Sequence, residues 1–424
     1  MIQKPKGTYD VYGIYGKKIL YIEELLEGLM EKYNYEYFRT PVFESSNLFH
    51  RGVGETTDII TKETYDFKDK GDRLITLRPE GTAGIVRSFI ENKIYGTYTM
   101  PVKTWYYGSM YRYERPQKGR FREFYQFGVE VFGSNSPMLD AEVISIPVNL
   151  FKLLGLKNVK VKINSLGDRE SRDNYREALI HYFKPNIDSF CSDCKERLEK
   201  NPLRILDCKV DKENELLKNA PKTIDYLNEE SKKHFEDVKK YLEVLGIDYV
   251  VDTNLVRGLD YYTHTVFEVE ADIKDFGSQN VLCGGGRYNN LVETLDGPKT
   301  DGVGFAMGME RLMEAIESEE IHLPIIDSID CFIMPISVNE NEYAYKLCMD
   351  LRLNGFIVDM DYDNRNIKSN FKTATKKNSK YVIIIGEEEQ KTNILTVKDN
   401  STQEEYKVKY EDLLDFLDEK VEEE

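Results

Sequence analysis

The sequence predicts an α+β protein in two parts: an antiparallel sheet with helices, broken by a helical insertion, and then a small α/β domain. Three observations carry this. The segments LITLR at 74–78, TWYYGSMYRYE at 104–114 and EFYQFGVEVFG at 123–133 are rich in β-branched and aromatic residues and follow one another without long helices, as antiparallel strands do. From about Asp168 to Gly246 the chain turns Lys- and Glu-rich with helical periodicity, punctuated by Lys184-Pro185, Asn201-Pro202 and Ala220-Pro221. After Leu323-Pro324, strand and helix patterns alternate, which indicates a parallel sheet. These changes place a first domain at 1–325, with the insertion at about 168–246, and a second domain at 326–424.

In chain order, residues 15–33 set Ile19, Ile22, Leu25, Leu26 and Leu29 at helical spacing, and a short strand closed by Pro41 follows. Beyond the insertion, VVDTNLV and TVFEVE resume the sheet, followed by the glycine-rich CGGGRY and by GVGFAMGMERLMEAIE, a strand feeding a helix. The last domain reads DCFIMPI, a helix from about Asn341 to Leu353 stopped by Gly355, FIVDMDY, a further helical stretch and YVIIIG. The acidic end DEKVEEE is assigned to solvent.

Apolar and charged fractions of 41% and 31%, with 29 tyrosines, are those of a folded chain. No stretch reaches the roughly 20 apolar residues of a membrane span, and MIQKPKGTYD has no apolar core behind its lysines, so a cytoplasmic location is expected. Cys283, Cys331 and Cys348 lie in apolar or mixed segments, as reduced thiols do. Cys191, Cys194 and Cys208 resemble a zinc fragment, but no fourth Cys or well-spaced His follows. Packed thiols and no metal are therefore expected there. A net charge of -17 counts against a nucleic-acid partner, yet two basic runs, Arg112 to Arg122 and Arg365 to Lys380, interrupt the acidic background.

There is no G-x-x-x-x-G-K-[ST] loop, the glycines of GVGFAMG miss the dinucleotide fingerprint, and the five histidines show no metal-ligand spacing. Bound phosphates would have to be held by arginines. On a strand, Arg112 shares a face with Met110, Gly108 and Glu114. Gly108 would leave room for a ligand, the arginine fork would grip phosphate, and the carboxylate would accept from an amino group. Gln126 and Glu130 share a face around Gly128, where a buried strand normally shows apolar groups. Arg257, Arg287 and Arg311, one in each of three glycine-containing segments, point to a shared anionic ligand. Taken singly, Arg112–Glu114 reads as a surface ion pair and Tyr261 and Tyr262 as core aromatics.

These runs match a family. YRYERPQKGRFREF at 111–124 resembles motif 2 of class II aminoacyl-tRNA synthetases, GVGFAMGMERL at 302–312 resembles motif 3, and the helix and strand ending at Pro41 resemble motif 1. LVRGLDYYTHTVFE at 255–268 and GGGRYNNL at 284–291 are similar to the two histidine-specific motifs of histidyl-tRNA synthetases, and RPEGTA at 78–83 to their amino-acid-binding loop. The resemblance spans essentially the whole chain.

It implies an antiparallel class II synthetase sheet, a C-terminal α/β anticodon-binding domain, a homodimer through motif 1, and a reaction with L-histidine, ATP carrying Mg2+, and tRNA(His). Position by position, it implies that Arg112 and Arg311 hold the α- and γ-phosphates, and that Glu114 and Arg120 contact adenine and the bent triphosphate. Glu80, Thr82, Gln126, Glu130, Tyr261 and Tyr262 would hold histidine, and Arg257 would sit at the α-phosphate, doing part of what a magnesium ion does in related enzymes. Fixed cations there would stabilise the charge that builds up in adenylate formation. The chief rival is a non-catalytic, histidine-binding regulatory paralogue of histidine biosynthesis, which typically lacks the anticodon module; a synthetase for another amino acid is the second.

Overall fold

A computed structural model describes residues 1–54, 57, 59–206, 208, 210–271 and 280–422; the end of the acidic tail lies outside them. They form two compact units, residues 1–11 with 19–323 and residues 12–18 with 324–424. The helical segment at 168–246 clusters with the first unit.

The first unit is organised by an eight-stranded sheet. Its strands are β1 (Glu36–Tyr37), β2 (Val102–Tyr111), β3 (Glu123–Phe132), β4 (Val159–Ser165), β5 (Tyr249–Val251), β6 (Thr263–Ala271), β7 (Val281–Arg287) and β8 (Gly302–Gly308), in the order β1-β2-β3-β8-β7-β6-β4-β5. The inner strands pair antiparallel, setting Gly108 opposite Gln126 and Glu130 opposite Gly304. Each edge strand is parallel to its neighbour, a departure from the wholly antiparallel expectation. The cause is the long crossover before each pairing: β4 reaches β5 only through the helical segment, and a crossover returns the chain in the same direction. LITLR is a second departure. Leu74–Leu77 pairs with Phe43–Ser45 and Tyr65–Lys68 in a separate three-stranded sheet.

Helix α1 (Gly13–Lys32) buries Ile22, Leu26 and Leu29 of the expected stripe together with Met30, while Ile19 and Leu25 stay half-buried. Helix α2 (Thr82–Glu91) follows RPEGTA, and α3 (Pro137–Leu154) follows β3. The insertion holds α4 (Arg169–Phe183), α5 (Ser192–Lys200) and α6 (Glu229–Val244); Asp168 and Asn228 cap α4 and α6 by accepting from the backbone N–H of Ser171 and Ser231. Tyr175, Leu179, Phe183, Phe190, Leu198 and Ile205 form a small core of its own. Helix α7 (Met309–Ser318) closes the unit.

The second unit carries β9 (Ile329–Pro335), β10 (Val358–Met360), β11 (Ser379–Ile385), β12 (Ile394–Asp399) and β13 (Glu405–Lys409), ordered β10-β9-β11-β12-β13. The first three are parallel, with α8 (Asn341–Leu353) and α9 (Ile367–Lys376) as crossovers. The last two are antiparallel, so the sheet is mixed rather than parallel, because the short links after β11 and β12 can only reverse the chain. Lys368, Lys372 and Lys376 are exposed along one face of α9, within the expected basic run. No described helix is long and apolar enough to cross a membrane.

Candidate active site

A cavity of about 500 Å³, within the roughly 300–1,000 Å³ of small-molecule sites, opens over β3, β7 and β8. Its lining brings together two kinds of group: Glu80, Thr82, Gln126, Tyr261 and Tyr262, and the charged set Arg112, Glu114, Arg120, Arg257 and Arg311.

Both Glu80 oxygens accept backbone N–H bonds at the start of α2, from Thr82 and Ala83, each at 2.8 Å. Burial nevertheless pushes the Glu80 carboxyl above its usual range, against the pull of those bonds. Gln126 is buried and its Oε1 has no hydrogen-bond partner, so the wall offers an acceptor awaiting a donor. The rings of Tyr261 and Tyr262 lie 4.7 Å apart, and burial drives both phenols up, leaving them neutral donors and acceptors.

Among the charged residues, Arg112 donates from Nε to the Pro79 carbonyl at 2.8 Å and lies 5.3 Å over the Phe124 ring. Glu114 stands between two cations, 3.9 Å from Arg112 and 3.2 Å from Arg120. Arg311 is anchored on the Val281 carbonyl at 2.8 Å; burial first, and then the nearby Arg120 and Arg112, lower its pKa. Crowded cations of this kind gain from a polyanion between them. Arg257 pairs with Glu268 and lies 5.9 Å over the Tyr262 ring. Its guanidinium fills the space over Gly284, where a Cβ would come within 2.4 Å of Nη1. That close approach explains one glycine of CGGGRY.

A family model described as Histidyl-tRNA synthetase matches residues 9–312, and one described as Anticodon binding domain matches residues 330–420. The chain belongs to the histidyl-tRNA synthetase family. It is 51% identical over 421 residues to the histidine–tRNA ligase of Staphylococcus haemolyticus, covering 99% of this chain and 100% of that one. It is 51% identical over 406 residues to that of Anoxybacillus flavithermus, covering 96% of each. The crystal structure of apo S. aureus histidyl-tRNA synthetase superposes with a TM-score of 0.86 at 45% identity, over 98% of this chain and 100% of that one.

Set against the residues that the histidyl-tRNA synthetase motifs imply, the cavity gathers every one but Glu130 at its wall. Glu130 is fully buried behind it: Oε1 accepts from Thr82 Oγ1 at 2.6 Å and Oε2 from the Tyr288 hydroxyl. Period two assigned its face correctly, but the cavity stops short of that depth. Burial raises its carboxyl to about 8, although the hydroxyls of Thr82 and Tyr288 oppose the shift. Arg287 does not join Arg257 and Arg311. It is wholly buried, paired with Asp140 at 2.6 Å and bonded to the Ser134 and Ser136 carbonyls. Burial opposes ionisation of Asp140, but Arg287 and His234 outweigh it and hold the carboxyl down to about 2. Gly108 makes room for Arg78 rather than a ligand, since a Cβ would meet Arg78 Nη2 at 2.4 Å.

Two residues had no assigned role. Glu268 lies within the histidine-specific run, as an acid in an otherwise mostly buried strand. Asp211 stands beside Cys191, Cys194 and Cys208, so the trio does have a fourth donor, three positions beyond Cys208. A pattern of Cys and His alone does not contain this carboxylate.

Proposed function

We propose that the cavity performs both halves of histidyl transfer, with Glu80, Thr82, Gln126, Tyr261 and Tyr262 holding histidine and Arg112, Arg120, Arg257 and Arg311 holding ATP. The chain is a histidine–tRNA ligase: full-length relatives of that activity and the match of the catalytic family both support it. It activates histidine with ATP to histidyl-adenylate and pyrophosphate, then transfers histidine to the 3′ end of tRNA. The observation that supports the residue roles is the gathering of four arginines with Glu80, Thr82, Gln126 and the tyrosine pair around one cavity.

The histidine carboxylate attacks the α-phosphorus and the bond to pyrophosphate breaks. No general base is needed, because the nucleophile is already ionised. Negative charge gathers on the α-phosphate oxygens, where Arg257 and Arg112 act as preorganised cations, while Arg311 and Arg120 hold the outer phosphates and Glu114 accepts from the adenine amino group. In the second half, the terminal ribose hydroxyl of tRNA(His) attacks the carbonyl and AMP leaves. Magnesium enters as part of the ATP substrate. Glu114 and Glu268, each paired with arginine, are the carboxylates near the arginines that would hold it, and it would supply further positive charge to the triphosphate.

The 330–420 module with its lysine row on α9 is assigned to tRNA(His), the motif 1 helix and strand to a homodimer interface, and the enzyme to the cytoplasm. That module and the complete arginine set stand against the regulatory paralogue. ATP–pyrophosphate exchange across the amino acids tests the reading: stimulation by histidine alone is expected, and none with histidine refutes it.

A further inference from the structure

We propose that Cys191, Cys194, Cys208 and Asp211 form a structural zinc site that ties the insertion together and braces the loop on the histidine side of the cavity. The four ligand atoms all lie within 4.8 Å of one another. Zinc bonds of about 2.3 Å to sulfur and 2.0–2.2 Å to carboxylate oxygen give a tetrahedron with S···S edges of roughly 3.8 Å and S···O edges of roughly 3.5 Å. Cys191 Sγ lies 3.7 Å from Cys208 Sγ, and Cys208 Sγ lies 3.3 Å from Asp211 Oδ2. The cage is already close to the size of the ion.

Two short pairings build it. C-x-x-C places Cys191 at the N-cap of α5 and Cys194 in its first turn, so both thiolates stand at the positive end of a nine-residue helix. C-x-x-D brings Cys208 and Asp211 back onto that turn. There the Cys191 N–H donates to Asp211 Oδ2 at 3.1 Å and the Asp211 N–H to Cys208 Sγ at 3.4 Å. Such outer bonds orient ligands before the metal arrives. Packed thiols alone leave a carboxylate turned onto three sulfurs unexplained. A disulfide is not formed, since 3.7 Å far exceeds the roughly 2.05 Å of an S–S bond.

Three thiolates with one carboxylate in tetrahedral array select zinc, and four protein ligands leave no open position for catalysis. On loading, the three thiol protons pass to solvent and the ion takes their place. The small core around Tyr175, Phe183 and Phe190 gains a cross-link of the kind that small cores use.

The loop between the two ligand pairs reaches the cavity. Arg204 Nη2 donates to the Gly258 carbonyl at 2.8 Å and to Asp260 Oδ1 at 3.1 Å, and Asn201 Nδ2 donates to the same oxygen at 3.2 Å. Gly258, Leu259, Tyr261 and Tyr262 line the cavity, so a metal that holds Asn201 and Arg204 also positions the tyrosine pair. This second consequence rests on the histidine role given above; the metal site itself does not.

The test uses the full-length protein, purified without chelator or metal resin and reconstituted with Zn2+ or Co2+. About one zinc ion per chain is expected by elemental mass spectrometry, together with a thiolate-to-cobalt charge-transfer band and tetrahedral ligand-field bands. Alkylation mapping should show Cys191, Cys194 and Cys208 protected by zinc, with Cys283, Cys331 and Cys348 unchanged. Asp211→Asn, which leaves the apolar core intact, should weaken zinc affinity by about tenfold or more and shift the cobalt bands. Sub-stoichiometric zinc after reconstitution, unprotected thiols, or an Asp211→Asn variant identical to wild type overturns the four-ligand site. Removing zinc should raise the KM for histidine several-fold more than that for ATP; an unchanged KM overturns the bracing role. Loss of histidine-dependent pyrophosphate exchange in zinc-loaded protein would instead count against the ligase roles, leaving the zinc content unaffected.

Discussion

Replacing Arg257 with alanine separates chemistry from binding. Its guanidinium is paired with Glu268, seated over Gly284 and facing the cavity, so its loss removes a fixed cation and also strips a half-buried carboxylate of its partner. If the cation acts mainly on charge that appears in the transition state, adenylate formation slows by about a hundredfold, or ~2.7 kcal/mol, while histidine and ATP affinities change far less. The second loss is one of stability. Burial already raises the Glu268 carboxyl and Arg257 opposes that rise, so the unpaired acid costs about 3 kcal/mol. Arg257→Ala with Glu268→Gln should therefore regain stability in urea without regaining rate. Arg257→Lys should recover the rate only in part, because a point charge on a flexible stem does not reproduce the planar fork. Single-turnover pyrophosphate release at saturating substrate reads the chemical step. A variant that forms adenylate at the wild-type rate but needs far more histidine refutes the assignment, as does a double variant whose rate returns with its stability.

Glu130 makes stability depend on pH in a known direction: its folded pKa of about 8 exceeds the usual 4.5, so its contribution is complete below about pH 4.5 and is lost as pH rises through 8. Relative to Glu130→Gln, the wild type should lose several kcal/mol, on the order of 4, between pH 5 and 9 in urea unfolding, and parallel losses in both proteins refute this. Arg287→Ala should destabilise by about 3–5 kcal/mol, leaving Asp140 buried without its main partner, yet keep the pyrophosphate-exchange rate of the folded enzyme within about twofold; a hundredfold slower rate at full stability would return Arg287 to the active site. Deleting residues 324–424 should spare adenylate formation and severely reduce tRNA charging, and charging at the full rate by a folded truncated protein would remove the tRNA role from the second unit.

Much of the site was legible because its residues come in contiguous runs. RPEGTA, the motif 2 run and RGLDYY each keep their pocket residues within a few positions, so local order sufficed to name Glu80, Thr82, Arg112, Glu114, Arg257 and Tyr261. The stripe of α1 and the inner strands were legible for the same reason, since periodicity is a local property. What lies above a given face is not local. Periodicity put Glu130 on the correct side of β3 but could not say that Thr82 and Tyr288 cover it, nor that the space over Gly108 belongs to Arg78. Arg287 and Arg257 look alike in glycine-rich sequence; Asp140 on α3, far away in the chain, meets one and the cavity meets the other. Parallel edges likewise follow from crossovers, which depend on where the chain returns rather than on the strand's own residues. The fourth donor beside the cysteines shows the same division. Local runs along the chain were enough for the family motifs and the three thiols, whereas the reversal that folds Cys208 and Asp211 onto Cys191 and Cys194 is what lets a carboxylate complete the set, because ligand geometry is a property of distances in space and not of spacing along the chain.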